Sequence, residues 1–420
     1  MENLAEKSIL GTMLTNNYLI HDSELSVDHF EIGLHKNIYQ SIKSAMTEYK
    51  ACDVISLLTT NNPDTLGGAN YLTSLQDLSN ETKFEEYTEI IVDKWRERKK
   101  QNILEVAKNE NWPIERVNAE LTNISSNRVD DYHEINDMLI DMAEKPFKKE
   151  IIEPGANTGL EDLNKMTNGW QNGELIVVAA RPSVGKSDFM VHLAKSAGLS
   201  KRYIPVMFSL EMSAESLLNR LIASTGGFNR TKMRDPYEML SEPQKNKWMK
   251  TIGVVSQTKI KIFDKASQRI SEIRSKVRKI TAIEPDKKPL IIIDYLTLIR
   301  SDNPTNSRHH DIGEITKALK GIAKEFECPV IVLAQLSRNV EQRQDKRPML
   351  SDIRESGSIE EDADVVVFLY RDEYYDKETE DANTMELIVA KQRNGATGTV
   401  KVAYNKFTGA LINIDWGAEK

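Results

Sequence analysis

The stretch best equipped for chemistry is Ala180-Arg181-Pro182-Ser183-Val184-Gly185-Lys186-Ser187. It follows the apolar run Glu174-Leu175-Ile176-Val177-Val178-Ala179 and leads into Asp188–Ala194, which reads as a helix. A strand, a small-residue loop, Gly-Lys-Ser and a helix form the context in which successive backbone N–H groups cradle phosphate oxygens. The helix N-terminus adds partial positive charge. Lys186 is placed to reach the β- and γ-phosphates of a nucleotide, and the Ser187 hydroxyl to ligate Mg²⁺. Ala180 stands where the pattern has its first glycine. Alanine is compatible with the phosphate nest provided its φ is not positive.

Other residues complete this loop. Leu290-Ile291-Ile292-Ile293-Asp294 is an apolar strand ending in a carboxylate, suited to holding the Mg²⁺ shell at a sheet edge. Phe208-Ser209-Leu210-Glu211 ends another strand, and Glu211 is a candidate to orient and deprotonate an attacking water. The alternative is that Glu211 caps the helix that follows. Val330–Ala334 runs into Gln335, whose amide would touch the γ-phosphate and report its loss, unless it is merely a polar strand end. Lys391-Gln392-Arg393-Asn394-Gly395 sits before an Asn-Gly turn, a hairpin signal. Two cations on a rigid hairpin suit an arginine-finger role at a transferring phosphoryl, against the alternative of a solvated basic turn.

These residues must be positioned by a fold, and bulk properties bound it. A chain of 420 residues is long enough for two or three domains, and 40% hydrophobic with 29% charged residues is ordinary globular composition. The net charge of −8 means that any nucleic-acid contact must come from a local basic surface. The two cysteines, Cys52 and Cys328, have no metal-ligand spacing and fit a reducing compartment. Glu2 and Glu6, with no apolar core between charged flanks, speak against a secretory leader. No apolar run approaches the ~18 residues of a membrane span. A cytoplasmic protein is expected.

Leu4, Ile9, Leu10, Met13 and Leu14 lie on one helical face, and Ile38, Tyr39, Ile42 and Met46 repeat the pattern. Gly67–Leu72 is a turn opening a helix through Leu75 and Leu78, and Phe84–Val106 reads as a long helix. Residues 1–125 therefore read as an all-α interaction domain without a catalytic constellation. Residues 126–156 read as a linker carrying one amphipathic helix, 130–145, whose apolar stripe needs a partner surface. Residues 157–420 alternate strands and helices. Strands are expected at Tyr203–Ser209, Lys259–Phe263, Leu290–Asp294, Val330–Ala334, Asp364–Tyr370, Thr384–Lys391, Thr399–Tyr404 and Ala410–Ile414, with helices at Ala214–Ala223, Ser267–Ile283 and Ile312–Glu325. This pattern predicts a mainly parallel sheet with antiparallel strands at the end.

Taken in order, these motifs resemble the DnaB-type replicative DNA helicases, a branch of the RecA-like P-loop ATPases. The resemblance is carried by Ala179–Ser187, Phe208–Ser213, Ile293–Leu296, Gln335-Leu336-Ser337-Arg338, the run Ser351–Glu360 and Lys391–Gly395. It extends more loosely to Leu10-Gly11, His35–Tyr39, Asp53 and Gly67–Leu72. It implies a RecA-like ATPase domain behind a separate all-α domain and a linker helix. It further implies a homohexameric ring that uses ATP and Mg²⁺, moves along single-stranded DNA and unwinds forked DNA, with primase and a helicase loader as partners. By the same resemblance Lys186, Ser187, Asp294 and Glu211 act in cis, Lys391 and Arg393 reach the neighbouring subunit's γ-phosphate, and Arg220 contacts nucleotide. Arg354, Glu355 and Gly357 match a loop that grips the strand's phosphates. Val184, Ser187 and Thr297 depart from the pattern, since the family often has Met, Thr and Gln at these positions.

The residues themselves support a DNA contact. Arg338, Arg343, Lys346 and Arg347 face only Glu341 and Asp345, giving a net-basic loop, expected to be flexible, just after the γ-phosphate sensor. In a six-fold ring such charge is multiplied into a positive channel that tracks backbone with little base preference. Two rival readings stay open. Another RecA-like enzyme, a recombinase or KaiC-like kinase, sits poorly with the all-α domain and the Arg354 run. A nucleotide-switched loader or adaptor without unwinding activity sits poorly with intact Lys186, Glu211, Asp294 and Arg393.

Overall fold

Helical periodicity in the first hundred residues is realised as α1 (Glu2–Thr15), α2 (Tyr18–His21), α3 (Gly33–Tyr49), α4 (Val54–Thr60), α5 (Gly68–Gln76) and α6 (Phe84–Asn109). The computed structural model describes residues 2–21, 23, 25–49, 52–114, 116, 117, 120, 121, 135, 139, 155–302, 304, 305, 307–353 and 356–414. The chain divides into two compact units, Met1–Ile151 and Ile152–Lys420.

In the first unit Ile9, Leu10, Met13, Ile38, Tyr39, Ile42, Leu72 and Leu75 share one buried core. A Cβ built on Gly11 would lie 1.7 Å from the Leu75 carbonyl oxygen, so glycine alone lets α1 and α5 approach this closely. Asp53 caps α4 by accepting the Ser56 N–H at 2.7 Å. Leu4, expected on the core face, is instead 61% exposed at the first turn of α1. Apart from Ile135 and Leu139, the expected linker helix 130–145 lies outside the described residues.

The second unit is built on β1 (Leu175–Ala180), β2 (Tyr203–Ser209), β3 (Lys261–Phe263), β4 (Lys288–Asp294), β5 (Val330–Gln335), β6 (Val365–Tyr370), β7 (Thr384–Gln392), β8 (Gly398–Asn405) and β9 (Ala410–Asn413). They form one nine-stranded sheet in the order β3-β2-β4-β5-β1-β6-β7-β8-β9. Strands β1 to β6 run parallel, and β7, β8 and β9 close the sheet as antiparallel neighbours. The helices are α7 (Glu161–Thr167), α8 (Lys186–Leu199), α9 (Ala214–Gly226), α10 (Glu242–Gln257), α11 (Ile270–Ile283), α12 (Arg308–Glu325) and α13 (Ser356–Asp362), besides single turns.

Every residue of β1 is buried, because helices cover both faces of a parallel sheet. Ile176 and Val178 pack towards Phe189 and Leu193 of α8 and Leu217 of α9. Leu175 and Val177 pack on the other face with Ile273 and Val277 of α11 and Leu319 of α12. Element ends differ from expectation where the backbone turns left-handed. Lys259 has φ +52° and Ser267 φ +59°, so β3 starts only at Lys261 and α11 only at Ile270. Helix α10 is not among the expected helices, although its start is a capping box in which Gln244 accepts the Ser241 N–H at 3.1 Å.

Candidate functional site

The strand register brings the predicted residues to one edge. Ala180 pairs with Gln335 across β1 and β5, and Ser209 with Asp294 across β2 and β4. Ile293 sits beside Val332, linking β4 to β5. The phosphate loop, Gln335, Asp294 and the chain leading to Glu211 therefore leave the carboxyl ends of four adjacent parallel strands, β2, β4, β5 and β1. This is the edge where open α/β sheets bind ligands.

Ala180 still belongs to β1, and the left-handed positions of the loop are Ser183, φ +66°, and Gly185, φ +125°. That is why alanine suffices at 180 and glycine is required at 185. A Cβ at Gly185 would come within 2.7 Å of Met385 Cε. The turn closes with the Val184 N–H donating to the Arg181 carbonyl at 3.3 Å, and α8 begins at Lys186. Residues that sequence reasoning missed hold this loop from behind. Buried Arg371, just past β6, donates to the Val184 carbonyl at 3.4 Å and lies 4.7 Å over the Tyr404 ring. Asp188 accepts from Arg220 at 2.6 Å, from Arg230 at 2.9 Å and from the Tyr404 hydroxyl at 2.6 Å. Burial, with the Asp188 carboxylate next in weight, pushes the Tyr404 phenol up to about 12. The Arg220 guanidinium thus sits on the phosphate-loop helix through Asp188.

Lys186 Nζ lies 3.4 Å from Asp294 Oδ1 and 4.8 Å from the centre of the Tyr295 ring. Asp294 is 1% exposed and its Oδ1 has no hydrogen-bond partner, so the ammonium faces this oxygen without bonding to it. A buried, unpartnered carboxylate oxygen beside a phosphate loop fits a hard divalent cation. Glu211 is exposed just past β2. It does not cap α9, because Ser213 accepts the Ser216 N–H at 3.3 Å and Asp264 accepts the Ala214 N–H at 2.9 Å. Arg181 ties the loop to the segment after β5, with 2.7 Å to Glu341 and 3.0 Å to the Leu336 carbonyl.

Residues 155–412 match the DnaB-like helicase C terminal domain, and residues 2–93 match the DnaB-like helicase N terminal domain. The chain belongs to the DnaB-like helicase family. It is 36% identical over 440 residues to the replicative DNA helicase DnaC of Bacillus subtilis, covering 98% of this chain and 94% of that protein. It is 34% identical over 442 residues to the replicative DNA helicase DnaB of Haemophilus influenzae, covering 99% and 93%. A solved structure of a DnaB-like replicative helicase, described with its interactions with primase, superposes with a TM-score of 0.65 at 36% identity, covering 98% of this chain and 100% of that one. A second solved structure, an isolated ATPase domain, superposes with a TM-score of 0.65 at 40% identity, covering 68% of this chain and 100% of that one. The protein is accordingly an ATP-dependent replicative DNA helicase with a RecA-like ATPase domain.

The helicase's remaining predicted residues lie elsewhere on the sheet. Gln392 pairs with Val365, and Val365 with Ile176, so Lys391 and Arg393 sit level with the start of β1. The phosphate loop leaves the far end of that strand, about 13 Å further along at ~3.3 Å per residue. The Lys391 ammonium donates to the Glu360 carbonyl, and Arg393 to the Glu361 carbonyl at 2.5 Å. Burial, followed by the neighbouring Arg393 charge, lowers the Lys391 pKa.

The segment after β5, expected as a flexible basic loop, is instead folded around short turns at Arg338–Gln342 and Leu350–Asp352. Arg343 pairs with Asp352 at 2.7 Å. Arg347 grips buried Glu386 with two bonds of 2.8 Å, and Lys346 donates to the Glu341 carbonyl at 2.8 Å. Arg338 is exposed and, among the described residues, makes no such pair. Gly357 lies in α13, whereas Arg354 and Glu355 lie outside the described residues. Cys52 and Cys328 are free and buried, and burial pushes the Cys52 thiol up to about 11. Among the described residues no helix is long and apolar enough to cross a membrane.

Proposed function

We propose that this chain is one subunit of a cytoplasmic homohexameric ring whose ATP sites are shared between neighbours. The observation that carries this reading is the opposite placement of the two halves of the catalytic set. Lys186, Ser187, Asp294, Glu211 and Gln335 belong to the carboxyl edge of the parallel strands, and Lys391 and Arg393 to the amino edge. A cation held a strand's length from its own phosphate loop serves a neighbour's loop.

In this reading the backbone of Ala180–Lys186 and the Lys186 ammonium bind the β- and γ-phosphates. Ser187 Oγ and the Asp294 carboxylate are the residues that would hold Mg²⁺, which would supply charge neutralisation to the bound phosphates. Glu211 orients a water for in-line attack and accepts its proton. The neighbour's Arg393 and Lys391 stabilise charge on the transferring phosphoryl. Gln335 senses the γ-phosphate, and the Arg181–Glu341 pair connects the loop to the DNA-facing segment. Arg338 meets the single strand directly. Arg343 and Arg347 reach phosphates only on leaving Asp352 and Glu386, and Arg354, Glu355 and Gly357 complete the grip. Residues 1–125 form the collar that meets primase, 126–156 the inter-subunit linker and 157–420 the motor, with a separate loader placing the ring on forked DNA.

The test is complementation between defective subunits. Arg393→Ala and Glu211→Gln rings are each expected to be nearly inactive in ATP hydrolysis and in unwinding a forked duplex. Mixed rings regain hydrolysis at interfaces where a sound loop meets a sound finger. No regain at any mixing ratio, with subunit exchange verified by native mass measurement, refutes the shared site.

A further inference from the structure

Asp364 stands where the phosphate-loop strand meets the finger hairpin. It is 4% exposed and is the residue before β6. Its Oδ2 accepts the Leu175 N–H, at the start of β1, at 2.8 Å and the Lys320 ammonium of α12 at 2.5 Å. Its own N–H donates to the Leu175 carbonyl at 2.9 Å. On the other side, its carbonyl accepts the Arg393 N–H at 2.9 Å, and its Oδ1 faces the Arg393 guanidinium at 3.4 Å. The same guanidinium bonds the Glu361 carbonyl at the end of α13, the helix that follows the Arg354–Glu355 segment.

Arg393 is a long side chain, 47% exposed, in the turn after β7, and the groups its guanidinium meets, Asp364 and Glu361, both lie outside its own hairpin. A buried carboxylate held on its far side by a backbone N–H and a lysine is a rigid abutment for such a group. We propose that Asp364 is the positioning residue of the arginine finger. One oxygen pins the strand that ends in the subunit's own phosphate loop, and the other orients the guanidinium presented to the neighbour. The inference rests on the reading of Arg393 as a finger acting in trans. Substitution by asparagine keeps the shape and an acceptor for the Leu175 N–H, but turns an amide donor towards the donor-only guanidinium.

The experiment is a double-mutant cycle on the full ring, with kcat, KM and the affinity for a non-hydrolysable ATP analogue measured for Asp364→Asn, Arg393→Ala and the pair. Asp364→Asn is expected to bind the analogue as the wild type does, because its own loop is intact. Its kcat falls on the order of 10²-fold, the cost of misplacing a catalytic group by about an ångström. In the Arg393→Ala background the same change alters kcat by less than about twofold. Mixed with Glu211→Gln subunits it is complemented; mixed with Arg393→Ala subunits it is not. A wild-type kcat for Asp364→Asn, or a loss that multiplies fully with that of Arg393→Ala, overturns the positioning role while leaving the finger intact. A wild-type kcat for Arg393→Ala instead overturns the finger and this inference with it. Should Asp364→Asn fail to fold, Asp364→Glu, which keeps the charge but moves it by one methylene, enters the same cycle with the same criteria.

Discussion

Replacing Asp188 by alanine removes an acceptor that donors from separate parts of the ATPase unit share. The carboxylate side chain is 3% exposed, while the Arg220 and Arg230 side chains facing it are 30% and 28% exposed. Breaking a buried ion pair by removing one partner costs about 3–5 kcal/mol. Here both guanidinium groups recover water on their open sides, which places the loss at or just below the bottom of that range, about 2–3 kcal/mol. Tyr404 also loses the 2.6 Å bond of its hydroxyl. At roughly 2–4 °C per kcal/mol for a unit of this size, the transition should fall by about 4–12 °C. Calorimetry of the intact chain measures it, and the ATPase transition is the one raised by a non-hydrolysable ATP analogue. Asp188→Asn, which retains one acceptor oxygen but no charge, should lose about half as much. The N-terminal transition should not move. An Asp188→Ala protein melting within about 1 °C of wild type would show that the arginines and Tyr404 find equal partners without it, and the reasoning fails.

Other outcomes follow from particular contacts. His192 is buried on α8, and burial, then the Lys195 charge, lowers its pKa to about 4. The unfolded chain therefore binds a proton near pH 6.5 that the folded unit refuses until about pH 4, so stability is lost as pH falls between these values. The loss from this group reaches roughly 3 kcal/mol, and His192→Phe should remove it from urea-unfolding midpoints followed against pH; an unchanged slope refutes the assignment. Arg338→Ala should weaken single-strand binding and flatten its salt dependence by ~0.7 in log–log slope for each phosphate no longer neutralised. The melting temperature should hold, whereas Arg347→Ala, which takes two hydrogen bonds from buried Glu386 and leaves it, among the described residues, only Lys401 at 3.9 Å, should lower it. Equal DNA affinity for Arg338→Ala and wild type at matched salt would remove Arg338 from the interface.

Much of the motor is legible along the chain because its signals are local. The phosphate loop is eight consecutive residues between an apolar strand and a helix, and Asp294 and Gln335 each end an apolar run. The supporting contacts are not legible, because the strand order creates them. Arg371 follows a strand like any other polar residue, and only the placement of β6 beside β1 turns it towards Val184. Glu386 reads as an ordinary charge within β7, yet it is buried beneath Arg347, thirty-nine residues away. That pairing makes a braced segment of the expected mobile basic loop.

Taken alone, the sequence determined the phosphate loop, the order of strands and helices, and the existence of a separate helical domain. Those features rest on adjacency and periodicity, which a linear chain displays directly. The tertiary structure alone decided which groups share an edge. Parallel register gathered Ala180, Asp294 and Gln335 at the carboxyl end of the sheet, and the antiparallel return of β7 carried Lys391 and Arg393 to the other. The same fold set Asp364 between Leu175 and Arg393, residues more than two hundred positions apart. Hydrogen-bond register across strands is a non-local property, and it is what sets Lys391 and Arg393 at the opposite edge of the sheet from the phosphate loop.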